Sequence, residues 1–501
     1  MNLSRHSIIT GLSLFIVGVG VMVATNAQAI PAFTRANNVE CSTCHTIFPE
    51  LNEYGEAFLK NSYVYFGKGK KKTAEKLKSE PAAVEAKAAV APPVGESIVK
   101  GDGDAELLNK LKAGMMISAD APVTSSSPVH QSEPVNSHAD AGAGVETKSE
   151  GIALSGIPEQ LPISFTANIH GTYNRNQPNE YDLSTRTLKL NAGGNFKEKY
   201  GFFGTYVVYT ENVSSISNTS QTPTNLTGKN DIGELFLIWR HALETPINLK
   251  VGRFQPKLGL WKTNNKLSIT NSYDTYSYTV GSSLFKAEQP QDAVEANMLV
   301  GNRVFVAGGV VNRKNQNTKE WYVHTSVKVG GADYVANEPE IDLNKEESIL
   351  DFLTLTVGGY GYVGTNGDPN TVANVTLRQN DYYRTGVDID LLYKLFRLKL
   401  SGVIGKDDNP SLTYSPSIKS YVAAIEGEYT IQQNLIASVR FEYQDDGYNI
   451  VRRYIPTLAY TPIENLKVAA EYKHENGTSY KSSGNTKIDN KIGTLGVTFS
   501  F

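Results

Sequence analysis

Cysteine is nearly missing from this 501-residue chain: there are two, both inside Cys41-Ser42-Thr43-Cys44-His45. A structural zinc site needs a second ligand pair, which the sequence does not show, and the strand-to-helix setting of a thioredoxin-type dithiol is also lacking. Long apolar runs are absent beyond the first 29 residues, so no later segment suits a membrane helix and any insertion must be by strands. Excess charge of one sign is absent too: 48 Lys and Arg face 51 Asp and Glu, a formal net charge of −3. With no basic block beside stacking aromatics, nucleic acid is excluded as a partner. Only 40 % of the residues are hydrophobic, and the length fits several domains or one large barrel.

What is present begins with an export signal. Arg5 and His6 precede an apolar stretch from Ile8 to Ala24, and the small residues Ala27 and Ala29 stand before Ile30. Residues 1–29 are expected to be a signal peptide with the mature chain starting at Ile30.

The segment 30–67 carries the chemistry. Two thiols three positions apart add to the two vinyl groups of one porphyrin, and the adjacent imidazole reaches the iron, so Cys41, Cys44 and His45 read as a c-type haem attachment site. A plain disulfide would leave His45 without a role. Leu51, Tyr54 and Phe58 recur at helical intervals after Pro49, which predicts a short amphipathic helix starting just after the motif and covering a haem face. Phe33 and Phe48 add edge contacts to the haem or pack on that helix. The segment is too short to enclose a macrocycle alone, so further walls are expected from elsewhere in the chain.

Residues 68–150 form a low-complexity linker rich in Lys, Ala, Pro, Val, Ser and Glu, opening with Lys68-Gly69-Lys70-Lys71-Lys72. Within it Leu107, Leu108, Leu111 and Met115 share one face of a short helix at 104–116.

Residues 158–501 change character again, into segments of about ten residues in which apolar and polar side chains alternate, as in transmembrane strands. Ile163, Phe165, Ala167 and Ile169 alternate with Ser164, Thr166, Asn168 and His170; Leu495, Val497, Phe499 and Phe501 alternate with Thr494, Gly496, Thr498 and Ser500. Charges on the inward set, such as Arg384, Asp388, Asp390, Arg397, Lys399, Arg440, Glu442 and Glu471, argue against a soluble sandwich. The fold class is therefore all-β: a transmembrane antiparallel barrel of about 16 strands with a small α-helical N-terminal plug. Long connections after odd strands, among them Pro256–Pro290 and Asn476–Asp489, and tight turns after even ones match outer loops and periplasmic turns. Ala332–Glu347 is long on the wrong side, signalling a miscounted hairpin or an acidic periplasmic loop.

Ile30-Pro31-Ala32-Phe33-Thr34-Arg35, the Cys41–His45 motif and Phe48-Pro49-Glu50-Leu51-Asn52 to Gly55 together resemble the fused monohaem c-type cytochrome–porin family of bacterial outer membranes, whose best-known members are iron(II) oxidases. Over the barrel the resemblance rests on architecture and the terminal Phe501. It implies one covalently attached c-type haem on Cys41, Cys44 and His45, in a plug at the periplasmic end of a barrel. It further implies electron transfer between extracellular iron and a periplasmic c-type cytochrome, across outer-membrane lipid. Related proteins occur in metal-reducing bacteria, so export of electrons to an extracellular metal is the competing direction; a diffusion porin with a structural or sensory haem is another. Met115, Met116 and His170 are the candidates for the distal ligand of the haem iron. The acidic pairs Asp407-Asp408 and Asp445-Asp446 read as turn chemistry in preference to iron capture.

Overall fold

The protein is described from a computed structural model, which covers residues 39–64 apart from 48, and 163–500 apart from 178–179, 198, 211–230, 262–266, 270–272, 282, 284, 286, 313–318, 338–347, 368–378, 413–414 and 482–483. The expected signal peptide, the linker with its helix at 104–116, and Phe33, Phe48, Met115, Met116 and Phe501 lie outside the described residues.

Two short strands, β1 (His45–Ile47) and β2 (Glu50–Leu51), and helix α1 (Glu53–Lys60) precede the barrel. Its sixteen strands are β3 (Ile163–Asn174), β4 (Tyr181–Phe196), β5 (Tyr200–Thr210), β6 (Asp231–Trp239), β7 (Asn248–Phe254), β8 (Gln291–Val300), β9 (Val304–Asn312), β10 (Lys319–Val329), β11 (Leu353–Asn366), β12 (Asn380–Tyr393), β13 (Phe396–Asp407), β14 (Ile418–Gln432), β15 (Leu435–Asp445), β16 (Asn449–Ile463), β17 (Leu466–Lys481) and β18 (Gly484–Ser500). Each pairs with its sequence neighbour, and β18 closes onto β3 with Thr494 opposite Thr172. Closure leaves no unpaired edge. The sixteen expected strands are all found, so the long connection after β10 is a true insertion and not a missed hairpin.

The alternation has the physical consequence expected of it. On β10, Trp321, Val323, Val327 and Val329 are exposed on the outside, while Tyr322, His324, Ser326 and Lys328 are buried inside. The inward charges Arg384, Asp388, Lys399, Arg440, Glu442 and Glu471 are all buried as well. They tolerate this because they pair: Arg384 lies 2.8 Å from Asp407, and Lys399 contacts both Glu50 and Glu428.

Three features differ from the pattern read along the chain. The stretch Asn476–Asp489 is not a loop: β17 and β18 stay paired from Leu466↔Phe499 to Lys481↔Gly484. Its residues are polar on both faces, so alternation fades while the backbone ladder continues. The stretch after β7 does not stay outside, because Leu258, Trp261, Leu267, Tyr273, Tyr278 and Phe285 are buried in the lumen. Leu260 N donates to Asp388 at 3.1 Å, Ser268 Oγ to Glu471 at 2.6 Å, and the N-terminus of the single-turn helix α2 (Asp274–Ser277) donates to Glu442 at 3.1 Å. Finally, α1 starts later than the motif suggested: Asn52 caps it by accepting from Gly55 N at 2.9 Å, and Pro49 sits in the preceding β1–β2 turn.

Candidate functional site

The N-terminal segment lies in the lumen at the tight-turn end of the barrel. Cys41 N donates to the Glu464 carboxylate at 3.1 Å, in the turn between β16 and β17. Glu50 is fully buried and pairs with Lys399 and, at 3.1 Å, with Arg397, both near the start of β13. Glu53 meets Lys328 at 2.9 Å at the end of β10, and Asn61 accepts from Arg240 at 2.8 Å. Carboxylates from the segment thus add to the counter-charges of wall cations, of which Arg397 and Lys399 also pair with Asp390 and Glu428 of the wall.

The motif itself is a tight turn. Residues Cys41–Thr43 form one 3₁₀ turn, closed by Cys44 N donating to Cys41 O at 3.1 Å; the two sulfurs are not joined in a disulfide. Asn52 Nδ2 ties the turn to the helix by donating to the Ser42 and Thr43 carbonyls at 3.0 and 3.2 Å. Gly55 permits the close approach: a Cβ there would stand 2.0 Å from Cys44 O.

His45 Nδ1 lies 3.2 Å from the Glu50 carbonyl. A carbonyl only accepts, so Nδ1 carries a proton, and the Pro49 carbonyl bears on the same ring. Burial, partly opposed by this hydrogen bond, lowers its pKa to about 4, which keeps the ring in its neutral, ligating form. Burial also pushes Cys41 up to about 12, with Glu464 adding to the effect, and Cys44 up to about 11. Thiols so hard to ionise are poor nucleophiles.

A cavity of about 690 Å³ adjoins the turn. Thr43 and Thr46, which bracket Cys44 and His45 in the chain, form part of its wall together with Leu51 and Tyr54; Leu260, Trp261, Leu392 and Ile436 face them from the inward loop and the barrel. The volume falls within the range of roughly 300–1,000 Å³ that buries cofactor-sized ligands. Two thiols and an adjacent imidazole are the donor set of a c-type haem, so these residues fit that group; the neighbouring cavity is of mixed character, with Glu53, Glu56, Lys328, Asp390, Arg397 and Glu428 beside the apolar side chains, and Cys41, Cys44 and His45 are not part of its wall.

Of the other expected contacts, Phe58 packs at the far end of α1 against Tyr63, 5.8 Å between ring centroids, in the cluster that holds Phe236 and Phe254. His170 is buried on the inner face of β3, where its ring and Ile269 crowd Gly496; Ile269 in turn packs on the cluster containing Ile47. Asp445 and Asp446 accept from the backbone of Gly447, Tyr448 and Asn449 at 2.6–3.0 Å, which is turn chemistry. Among the described residues, no cluster of three or more His, Cys, Asp or Glu could hold a metal ion. Sequence reasoning missed Leu260 and Trp261 as cavity walls; the available signal was an aromatic-rich stretch, Trp261 to Phe285, in what read as an outer loop.

No family model matches this chain, and no curated protein matches it. Among solved structures it is similar to the anion-selective porin from Comamonas acidovorans, with 8 % identity over 68 % of this chain and 98 % of that one, at a TM-score of 0.47. It is also similar to OmpT, an outer membrane protein of Vibrio cholerae, with 12 % identity over 68 % and 97 % and a TM-score of 0.43. A third is the outer membrane channel DcaP of Acinetobacter baumannii, with 11 % identity over 68 % and 96 % and a TM-score of 0.41.

Proposed function

We propose that this chain is an outer-membrane electron conduit, in which one c-type haem held by Cys41, Cys44 and His45 passes electrons between extracellular Fe(II) and a periplasmic cytochrome. The observation that carries the reading is the docking of a Cys-x-x-Cys-His turn inside a closed barrel whose outer face is apolar. When bound, the haem supplies a reversible one-electron carrier. The chain does the rest. Cys41 and Cys44 would anchor the group and His45 would hold its iron, with the imidazole positioned by the Glu50 carbonyl. Leu51, Tyr54, Leu260 and Trp261 supply the apolar part of the chamber wall. The pairs from Glu50 to Arg397 and Lys399 hold the segment against the wall. A barrel provides this because hydrocarbon excludes both hydrated iron and soluble carriers.

Spectroelectrochemistry of outer-membrane fractions tests the reading. A covalent haem signal that Fe(II) reduces and a periplasmic cytochrome reoxidises supports it. A chain in outer membranes without covalent haem, or with haem inert to Fe(II) and to external metal oxidants, defeats it; reoxidation by an external metal alone selects the outward direction. The charged lumen favours a second reading, a diffusion porin with a haem plug. Large, haem-independent conductance in planar bilayers would select it, whereas the inward loop and the docked segment lead us to expect little.

A further inference from the structure

Trp261 in the cavity wall begins a run of buried aromatic rings toward the loop end of the barrel. Its ring centroid lies 5.5 Å from Tyr273, Tyr273 lies 6.4 Å from Tyr276, and Tyr276 lies 6.4 Å from Tyr360. Tyr360 and Tyr362 both face inward two residues apart on β11, a spacing of about 7 Å. Tyr362 stacks on Tyr382 at 6.4 Å with 17° between planes, and Tyr382 pairs across the ladder with Asp407 at the loop end of β13.

Carboxylates accompany these rings. Trp261 Nε1 donates to Asp390 at 3.2 Å, and the phenols of Tyr362 and Tyr382 both donate to Glu320. Asp388 acts electrostatically on both Tyr276 and Tyr360 and interacts directly with the Tyr276 phenol. Filling a lumen asks only for Leu and Phe, and burying phenols, an indole N–H and carboxylates is costly even when they pair, so their presence along one line of rings calls for a role.

Resting on the reading of this chain as an electron conduit, we propose that Trp261, Tyr273, Tyr276, Tyr360, Tyr362 and Tyr382 form a proton-coupled electron relay between the loop end of the barrel and the haem-binding segment. Tunnelling falls steeply with distance, and a hydrocarbon layer of about 30 Å is too thick for one jump. Steps between neighbouring rings divide it. The donor, a hydrated ferrous ion at the loop mouth, gives up one electron and leaves as ferric ion; one electron reduces ferric haem iron at the segment to ferrous. In between, an electron leaves a ring as its phenol or indole proton moves to the adjacent carboxylate. The next ring toward the mouth refills the hole, and the proton returns. No bond in the chain is made or broken overall.

The test uses the full-length, haem-loaded chain, in which both native cysteines are consumed, so that Asp408→Cys offers a single thiol near Tyr382 for a ruthenium photo-oxidant. Flash oxidation of the label should oxidise pre-reduced haem. Tyr276→Leu or Tyr360→Leu should slow that step by an order of magnitude or more, whereas the off-path Tyr334→Phe leaves it unchanged. Heat-modifiable gel mobility reports folding; where a Leu variant fails to fold, Tyr276→Phe and Tyr360→Phe, which keep the shape and remove the transferable proton, take its place. A second readout needs no haem: in Cys41→Ala/Cys44→Ala, the flash should yield tyrosyl and tryptophanyl radicals by electron paramagnetic resonance, with the tryptophanyl signal lost in Tyr360→Leu. Equal rates with haem present, together with a tryptophanyl signal that survives Tyr360→Leu, overturn the relay and leave the conduit standing. Absence of covalent haem overturns the conduit, and the radical measurement still decides the relay.

Discussion

The two faces of one strand obey the same period of two and opposite chemistry. On β14, Tyr421 and Ile425 are exposed outside while Glu426 and Glu428 are buried inside; on β10, Val323 and Val327 contrast with His324 and Lys328. The outer face needs no partners because it is apolar and, in the proposed setting, meets lipid. The inner face is buried although charged, and it survives only because other parts of the chain supply counter-charges. Arg440 has Glu426 at 3.7 Å and Glu442 at 3.4 Å, while Lys399 has Glu428 from the wall and Glu50 from the N-terminal segment. The outside is thus a local property of each strand, and the inside is a collective one.

Glu50→Ala breaks that collective balance most severely. It leaves Arg397 with Asp390 and Lys399 with Glu428 but removes the charge that ties both to the N-terminal segment, and is expected to cost about 3 kcal/mol, the low end of the penalty for removing one member of a buried ionic group. Limited proteolysis should then cut the 41–64 segment, and unchanged protection would refute the claim that Glu50 anchors it. On the opposite face, Val323→Lys places an unpaired charge toward lipid and should cost about 2–4 kcal/mol in a barrel refolded into vesicles. If the substitution is neutral, the outer face of β10 does not meet hydrocarbon.

Gly55→Ala sets a methyl carbon against the Cys44 carbonyl and should loosen the motif by about 1–3 kcal/mol, read as faster amide exchange across residues 41–56. Acid has the mildest effect. Burial tends to raise the pKa of Glu56, but Lys60 and Lys328 outweigh it and hold the carboxyl down at about 2, against an ordinary 4.5. A depressed pKa stabilises the folded helix above pH 4.5 and loses that contribution as pH falls toward 2. Between pH 4.5 and about 3.5 the loss is about 1 kcal/mol, since each unit of separation is worth about 1.4 kcal/mol. Glu56→Gln should flatten that part of the segment's proteolysis profile against pH.

Much of this was legible along the chain. Every strand, from the one centred near Ile169 to the one near Val497, follows from alternation, because each strand faces two different surroundings whatever its neighbours do. The motif of Cys41, Cys44 and His45 is legible because the proposed haem attachment needs those groups at that spacing. The β17–β18 extension was not, since beyond the apolar band both faces are polar and the pattern vanishes while pairing continues. The inward turn of the loop after β7 was also hidden, as local preference along residues 255–290 does not say whether Trp261, Tyr273 and Phe285 meet solvent or a lumen.

By itself, then, the sequence determined the positions of the strands, which of their faces is apolar, and the Cys41, Cys44 and His45 motif on which the proposed haem rests, all of which depend on chemistry a few positions apart. Only the tertiary structure decided what fills the barrel. Glu50 meeting Lys399, Leu260 meeting Asp388 and Tyr276 meeting Tyr360 join residues 84 to 349 positions apart, brought together because a closed ring of strands gives buried charges and rings nowhere else to find partners.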